Sequence, residues 1–178
     1  MKTGDRLKTG GPRRGLGWVA MTALAFAMAM TMPSAMATIT DLGPEGAWVN
    51  ACDIDRMTDV KVCRLVNYRM VEDGKEGSFI ALTVAPVGSE THLFLTTSLG
   101  NIENCALRID RQPPQETRIA TVNMCVFPNI TASKLLEQMR NGATMLVRLT
   151  LSRTGRRDLD FSLNGFTRNL EEMQRNLR

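Results

Sequence analysis

This chain has very little histidine, and it lacks the short motifs that mark the common catalytic and cofactor-binding sites. Its 178 residues include a single histidine, His92, which lies inside a strand pattern between Thr91 and Leu93. Nucleophilic hydrolases need a base beside the nucleophile, and histidine is the usual one. No G-x-S-x-G turn and no glycine-rich phosphate loop occurs. We therefore predict no catalytic residue and no cofactor, and we expect His92 to be a half-exposed strand residue.

Metal-binding patterns are missing as well. None of the four cysteines belongs to a C-x2-C pair, and a single histidine adds little to a zinc site. Asp53, Asp55 and Asp59 form an acidic cluster, but a calcium loop of the EF-hand kind also needs a glycine and a terminal glutamate. Arg56 and Lys61 are near enough in the sequence to neutralise these carboxylates. The pattern indicates a solvated hairpin loop, and we predict no metal site.

The first 37 residues have the three parts of a cleavable signal peptide. An uncharged apolar run from Leu16 to Met32 follows the basic residues Lys2, Arg6, Lys8, Arg13 and Arg14. Ala35 and Ala37 then supply the small side chains that signal peptidase requires, so the predicted cleavage precedes Thr38. The apolar run is shorter than the about 20 residues of a membrane span, which favours cleavage over an uncleaved anchor. We expect membrane contact only through an uncleaved leader.

Removal of the leader changes the charge of the chain. The first 37 residues hold five of the 22 basic residues and one of the 18 acidic residues, so that residues 38–178 hold 17 of each. A nucleic-acid-binding domain needs a basic surface. The balanced mature chain therefore gives no indication of nucleic-acid binding.

All four cysteines, Cys52, Cys63, Cys105 and Cys125, lie after the predicted cleavage site. An even number of cysteines in an exported chain indicates disulfides, because disulfides persist in oxidising compartments. Three pairings are open, and we favour Cys52–Cys63 with Cys105–Cys125 because each joins neighbouring predicted strands. Together with the leader, the cysteines predict a periplasmic or secreted protein.

Short strand patterns separated by turn residues make up most of the mature chain. They cover residues 48–52, 60–70, 79–84, 91–97, 105–109, 118–126, 144–151 and 158–163. Strands at this spacing predict an all-β fold, either a β-sandwich or a barrel. Residues 38–46 are predicted to be a flexible lead-in, and residues 47–178 are long enough for a single disulfide-stapled domain.

Two segments have helical patterns. Thr131 is the predicted cap of a short internal helix from Ala132 to Arg140, and Gly142 is its predicted stop. A C-terminal helix is predicted from apolar residues that recur at helical spacing, namely Phe166, Leu170, Met173 and Leu177.

A group of arginines surrounds the Thr154-Gly155 turn between the last two predicted strands. Arg153, Arg156 and Arg157 form this basic turn, with Asp158 close by. Arginine clusters can contact lipid headgroups or acidic proteins, whereas charged turns are more often simply solvated. We retain the basic turn as a candidate contact surface.

Several motifs, in order, resemble the invasion-associated locus B family of bacterial exported proteins. They are Trp48-x3-Cys52, Cys63-Arg64-Leu65, Cys125 with the short helix after it, and Phe161-Ser162-Leu163-Asn164-Gly165-Phe166 before the last helix. The resemblance implies a periplasmic or surface β-rich domain without enzymatic activity, and some family members are linked to entry into host cells. Members often carry a second cysteine shortly before the position of Cys125, whereas this chain has Ala120-Thr121-Val122 there and Cys105 further upstream.

The function expected from these observations is a non-enzymatic binding module, whose partner is an unidentified protein or another component of the envelope. One alternative is a structural component of an envelope complex that an uncleaved N-terminal helix holds in place. A second alternative is an envelope enzyme that uses carboxylates such as Asp53, Asp55 or Glu103. The structural motif residues Trp48 and Phe166 are expected to be largely buried, with Gly165 preceding the last helix.

Overall fold

The computed structural model describes residues 43–72, 77–117 and 120–177, and these fall within one compact unit, residues 36–178. The predicted signal peptide, its cleavage residues Ala35, Ala37 and Thr38, and most of the lead-in lie outside the described residues. Within the described ranges, no helix is long and apolar enough to cross a membrane.

Ten strands and two helices follow one another along the chain. The first five strands are β1 (Val49–Ile54), β2 (Lys61–Met70), β3 (Phe79–Val87), β4 (Glu90–Thr97) and β5 (Ile102–Ile109). The next elements are β6 (Gln115–Thr117), β7 (Ala120–Thr121), β8 (Met124–Phe127) and helix α1 (Leu135–Asn141). The last elements are β9 (Thr144–Leu151), β10 (Gly155–Ser162) and helix α2 (Phe166–Asn176).

The strands form two antiparallel sheets. The larger has the order β1-β2-β3-β4-β8-β7, and the smaller has the order β10-β9-β5-β6. Alternate side chains of each strand point to the same face of a sheet, and the inward-facing ones form a single hydrophobic core. Leu65, Leu82 and Leu95 enter this core from the larger sheet, while Leu107 and Val147 enter it from the smaller. The predicted all-β fold with a short internal helix and a C-terminal helix is confirmed.

The two sheets are joined along both sides, which gives the sandwich a partly barrel-like closure. On one side, the Trp48 indole nitrogen donates a hydrogen bond to the Ser162 carbonyl at 2.8 Å. On the other, the Ile102 amide donates to the Val122 carbonyl at 2.9 Å, and the Cys105–Cys125 disulfide joins β5 to β8.

Both favoured disulfides are present. Cys52 and Cys63 lie directly opposite each other in the β1–β2 hairpin, with their Cα atoms 4.0 Å apart. Cys105 and Cys125 have Cα atoms 6.4 Å apart and lie in different sheets. The first bond therefore braces a hairpin, and the second holds the sandwich together.

The strand predicted over residues 118–126 was wrong, because the chain turns within it. A tight turn at Val122 and Asn123 pairs β7 with β8, so this stretch contributes two short strands. The Thr97 amide hydrogen-bonds to the Asn123 carbonyl at 3.0 Å, which ties the turn to the end of β4.

The predicted start of the internal helix was also wrong. The helix begins at Leu135, and Lys134 before it has a left-handed backbone with φ 62°. Residues 129–134 instead form turns, in which the Asn129 side chain accepts a hydrogen bond from the Ala132 amide at 3.1 Å. The left-handed residue separates the turn that buries Ile130 from the helix that buries Leu135. The predicted stop is correct, because the helix ends at Asn141 and Gly142 is its C-cap. A larger residue does not fit at this position, since its side chain would collide with Ile109.

Candidate functional site

Exposed apolar side chains crowd the end of the β1–β2 hairpin. Met57 is 92% exposed, and Ile54 and Val60 are 63% and 57% exposed. We call residues 54–60 the hairpin tip. The sequence interpretation of a solvated charged loop accounts for Asp55, Arg56 and Asp59, but it overlooked these three apolar residues.

Hydrogen bonds fix the backbone of the hairpin tip. The Asp55 carboxylate accepts bonds from the amides of Met57 and Thr58 at 2.8 and 3.3 Å. The Asp55 amide donates to the Val60 carbonyl at 2.8 Å, and the Asp59 amide donates to the Asp55 carbonyl at 2.7 Å. The Cys52–Cys63 bond closes the base of the same hairpin. Met57 therefore lies on a turn whose conformation is restrained by the hydrogen bonds of Asp55 and Asp59 and by the disulfide at the base of the hairpin.

The acidic residues of this region do not assemble into a reaction centre. Asp53 pairs with Arg64 at 3.4 Å, and Asp55 is used by the turn. Glu103 lies on β5 in the other sheet and is exposed. Among the described residues, no group of three or more His, Cys, Asp or Glu side chains is placed to hold a metal ion.

His92 lies on β4 among polar and aromatic neighbours. Its Nε2 atom is 3.1 Å from Glu90 Oε2, and its ring stacks on Phe94 with centroids 6.0 Å apart. Glu90 also accepts a hydrogen bond from the Asn129 amide group at 3.0 Å. All four cysteines form disulfides, so His92 has no free thiol to activate as a nucleophile.

The outward side of the larger sheet is a second apolar surface. Two rows of cross-strand neighbours cross its centre without a charged residue. One row is Val49, Val66, Thr83, Phe94 and Val126, and the next is Tyr68, Ala81, Thr96 and Met124. We call these nine residues, with Ala51, Asp53, Val62, Arg64, Met70, Phe79, Ala85, Val87, Glu90 and His92 around them, the open face.

The basic turn carries less free charge than its sequence suggests. Arg153, Arg156 and Arg157 are all exposed, but Arg156 pairs with Asp158 at 3.4 Å. Asp158 also accepts two hydrogen bonds from Arg148, both at 2.8 Å. The bonds from Arg148 lower the pKa of Asp158 below its ordinary value. The carboxylate therefore stays ionised and offsets part of the positive charge.

A model of the invasion associated locus B protein family matches residues 48–174, most of the chain. The chain belongs to this family. Among solved structures, it is similar to invasion associated protein B from Bartonella henselae, with a TM-score of 0.52 and 21% sequence identity over 74% of this chain and 94% of that one. At this identity the likeness shows the fold alone. No curated protein sequence matches the chain.

Two of the motifs that suggested the invasion associated locus B family, those of Trp48 and Phe166, contact each other in the folded domain. The rings of Trp48 and Phe166 contact each other edge to face, with centroids 4.9 Å apart, and both residues are buried as expected. Gly165 precedes α2 with φ 78°, a backbone conformation that a glycine adopts without steric cost. These residues hold the C-terminal helix to the sandwich, so their role in this family member is structural.

Sequence reasoning missed the hairpin tip and the open face, although both left a signal. Apolar residues at positions within a turn are unusual, because turns are mostly polar. The run FIALTV in β3 is apolar at both alternating positions, which indicates a strand with two apolar faces. Because both sets of alternating residues in β3 are apolar, the sequence pattern could not show which side of the strand faces the core.

Proposed function

We propose that this chain is an exported, non-enzymatic binding module that docks a protein partner through the hairpin tip. The observation that carries the proposal is the exposure of Ile54, Met57 and Val60 on one braced turn. Exposed apolar side chains that cluster together, rimmed by charge, are typical of protein interaction sites.

The rigidity of the hairpin tip supports a docking role. Binding is weakened by the entropy lost when a loop becomes ordered, so a loop that is already ordered binds more tightly. The turn bonds of Asp55 and the disulfide restrict the loop before any partner arrives. Met57, with its flexible and polarizable side chain, suits an apolar pocket of variable shape.

The two disulfides support a location outside the cytoplasm, where such bonds persist. The printed name of the Bartonella henselae protein associates that protein with invasion. For this chain we propose a partner in the bacterial envelope or on the surface of a host cell.

Site-specific photo-crosslinking in intact cells tests the proposal. A photoreactive amino acid is placed at Met57, at Thr154 in the basic turn, or at Glu171 on the exposed side of α2. We expect the Met57 variant to form an adduct with one defined protein, identified by mass spectrometry, and the Glu171 variant to form none. Adducts from Thr154 alone would move the site to the basic turn and contradict the proposal.

A matched pair of variants measures what the apolar side chains contribute. The double substitution Ile54→Ser and Met57→Ser should weaken binding to the cross-linked partner by about tenfold or more, the effect of losing interface anchors. Thermal unfolding should not change, because both side chains are exposed. The control is Thr58→Ser in the same turn, and equal binding by control and double variant would disprove a role for the apolar tip.

A further inference from the structure

The centre of the open face is buried within a single chain. Val66, Tyr68 and Ala81 point away from the core, because successive side chains of a strand alternate and their neighbours Leu65 and Ile80 point into it. Even so, Val66, Tyr68 and Ala81 are only 4%, 9% and 7% exposed. The outward face of an antiparallel sheet is commonly solvated, so burial at this level indicates that part of the chain lies over these three residues.

Neither described helix provides this cover. Helix α1 packs into the core through Leu135 and Met139, and α2 packs into it through Phe166 and Leu170. The end of the face next to the β2–β3 connection does not account for the burial either, because Met70 there is 40% exposed. The cover therefore comes from another part of the chain.

The burial of the open face decreases across the sheet. It is greatest in the middle of β2 and β3, at Val66, Tyr68 and Ala81. The outward residues of the more distant strands, such as Phe94 on β4 and Val126 on β8, are only half-buried. The covering segment therefore approaches the face from the side of β1 and β2.

The described chain begins on that side, in contact with the open face. The Gly43 carbonyl accepts a hydrogen bond from the Tyr68 hydroxyl at 3.0 Å. A Cβ atom on Gly43 would lie 2.8 Å from Val49 Cγ2, so this glycine packs directly on the first residue of β1. The Gly46 amide donates to the Tyr68 carbonyl at 2.9 Å, which ties the following residues to β2. Leu42 therefore precedes a residue that already touches the face.

We propose that residues 38–42, the start of the predicted mature chain, lie across the open face and cover its centre. In this arrangement the apolar side chains of Ile39 and Leu42 pack on the outward side chains of β2, β3 and β4. The proposal goes beyond the proposed function, because the hairpin tip is a separate surface whose docking role does not depend on this cover.

The length of the segment fits the width to be covered. Five residues in an extended polyproline-II conformation span roughly 16 Å, and the three intervals from β1 to β4 span about 14 Å. Ile39 and Leu42 are three residues apart, which places them about 9 Å apart on the same side of such a chain. With Leu42 on Val66 of β2, Ile39 therefore reaches Phe94 of β4.

The charges of the open face agree with an uncharged cover. The charged side chains of the face neutralise one another, since Arg64 pairs with Asp53 at 3.4 Å and His92 lies 3.1 Å from Glu90. The two central rows carry no charge. The proposed segment has the sequence TITDL, in which Asp41 is the one charged side chain. In the same extended conformation Asp41 points away from the side that carries the two apolar residues.

Tyr68 is the only tyrosine of the chain, so its reactivity reports directly on the cover. Nitration of Tyr68 by tetranitromethane is followed by mass spectrometry in residues 38–178 and in a chain that starts at Gly43. We expect nitration to be at least about tenfold faster in the shorter chain, because it lacks the two apolar side chains that shield the ring. Equal rates would show that residues 38–42 do not cover the face and would overturn the proposal.

Matched substitutions test the apolar side chains while Gly43 stays inside the chain. Ile39→Ser with Leu42→Ser should accelerate nitration as the truncation does. The control, Thr38→Ser with Thr40→Ser, should keep the rate of the unaltered residues 38–178. Near-ultraviolet circular dichroism checks that both double variants are folded. The same rate in both would contradict packing of Ile39 and Leu42 on the face.

Photo-crosslinking identifies what lies on the face. A photoreactive phenylalanine derivative replaces Phe94 in an equal mixture of isotopically light and heavy residues 38–178. We expect adducts within one chain, to the peptide that contains Ile39 and Leu42. The control places the same group at Leu146, an outward position of the smaller sheet, and should give no adduct with that peptide.

Two results of the cross-linking would overturn the proposal. Adducts between light and heavy chains would assign the face to a second copy. A complete lack of adducts with residues 38–42 would leave the face to a different protein.

Discussion

Phe166 connects the C-terminal helix to the start of the domain. Its ring is buried and contacts the Trp48 ring edge to face, with centroids 4.9 Å apart. The Trp48 indole in turn donates a hydrogen bond to the Ser162 carbonyl. One aromatic pair thereby joins the first strand, the last strand and α2.

Replacement of Phe166 by Ala should destabilise the domain by about 3–5 kcal/mol, because a buried aromatic ring is lost and a cavity remains. Urea denaturation of residues 38–178 measures the change in the free energy of unfolding. Leu177→Ala is the control, since Leu177 is partly exposed at the end of the same helix. A loss near zero for Phe166→Ala would show that the aromatic pair does not hold the helix.

The Arg148–Asp158 pair predicts a contribution to acid stability. Hydrogen bonds from Arg148 lower the pKa of Asp158 in the folded state, whereas an unfolded Asp titrates near about 3.9. The stabilisation is therefore present above about pH 4 and is lost as the pH falls through the lower folded value. We expect the difference in unfolding midpoint between the unaltered protein and Asp158→Asn to be present at neutral pH and to shrink as the pH is lowered below about 4. Added salt should weaken it, because the pair is partly exposed. A difference that is independent of pH would contradict this account.

The two disulfides connect the secondary-structure elements in different ways. Cys52–Cys63 joins adjacent strands of one hairpin, which the sheet already pairs. Cys105–Cys125 joins β5 and β8 across the core, where both residues are buried. Loss of the second bond therefore removes a connection between the sheets.

Replacing each pair of cysteines by alanine should separate these tasks. We expect about 2–3 kcal/mol of lost stability for the Cys52–Cys63 pair and about 3–5 kcal/mol for the Cys105–Cys125 pair, since the latter adds buried-volume loss to the lost constraint. Thermal unfolding under oxidising conditions measures both. Equal losses would show that the inter-sheet bond contributes only through chain entropy.

Most strands followed from the sequence because turn residues separate them. The β9–β10 hairpin turns near Thr154-Gly155 as predicted, and Gly155 has φ 73°. β3 continues through Pro86, where the sequence predicted its end. The pairing of β3 with β2 ends at Val84, so Pro86 pairs on one side only, with Thr91 of β4. A proline is tolerated where no ladder bond from its nitrogen is needed.

The remaining errors depend on contacts between distant residues. Residues 118–126 contain β-branched residues typical of a strand. The turn at Val122 and Asn123 is set by hydrogen bonds from the distant amides of Ile102 and Thr97. The position of α1 depends on how Ile130 and Leu135 both reach the core. The apolar character of the hairpin tip is visible in the sequence, whereas its exposure follows only from the fold.

For the whole molecule, the balance of charge and the oxidised cysteines suit a domain that works outside the cytoplasm. Residues 1–37, the predicted leader, hold the excess positive charge, whereas residues 38–178 contain equal numbers of basic and acidic residues. The described domain is stapled within one hairpin and between its two sheets.

The exported product should begin at Thr38 and contain no free thiol. Cleavage between Ala37 and Thr38 follows from the small residues at Ala35 and Ala37. N-terminal sequencing and intact-mass analysis, with and without a thiol-reactive label, measure both properties. Recovery of the intact leader on the folded protein would instead favour the membrane-held alternative.

The disulfides join cysteines that are consecutive along the chain, the first with the second and the third with the fourth. A polypeptide that leaves a translocation channel amino end first exposes Cys52 and Cys63 before Cys105 has emerged. An oxidase that joins thiols in their order of appearance thus forms the native bonds directly. The maturation of this domain should consequently need a thiol oxidase but no isomerase to rearrange mispaired bridges.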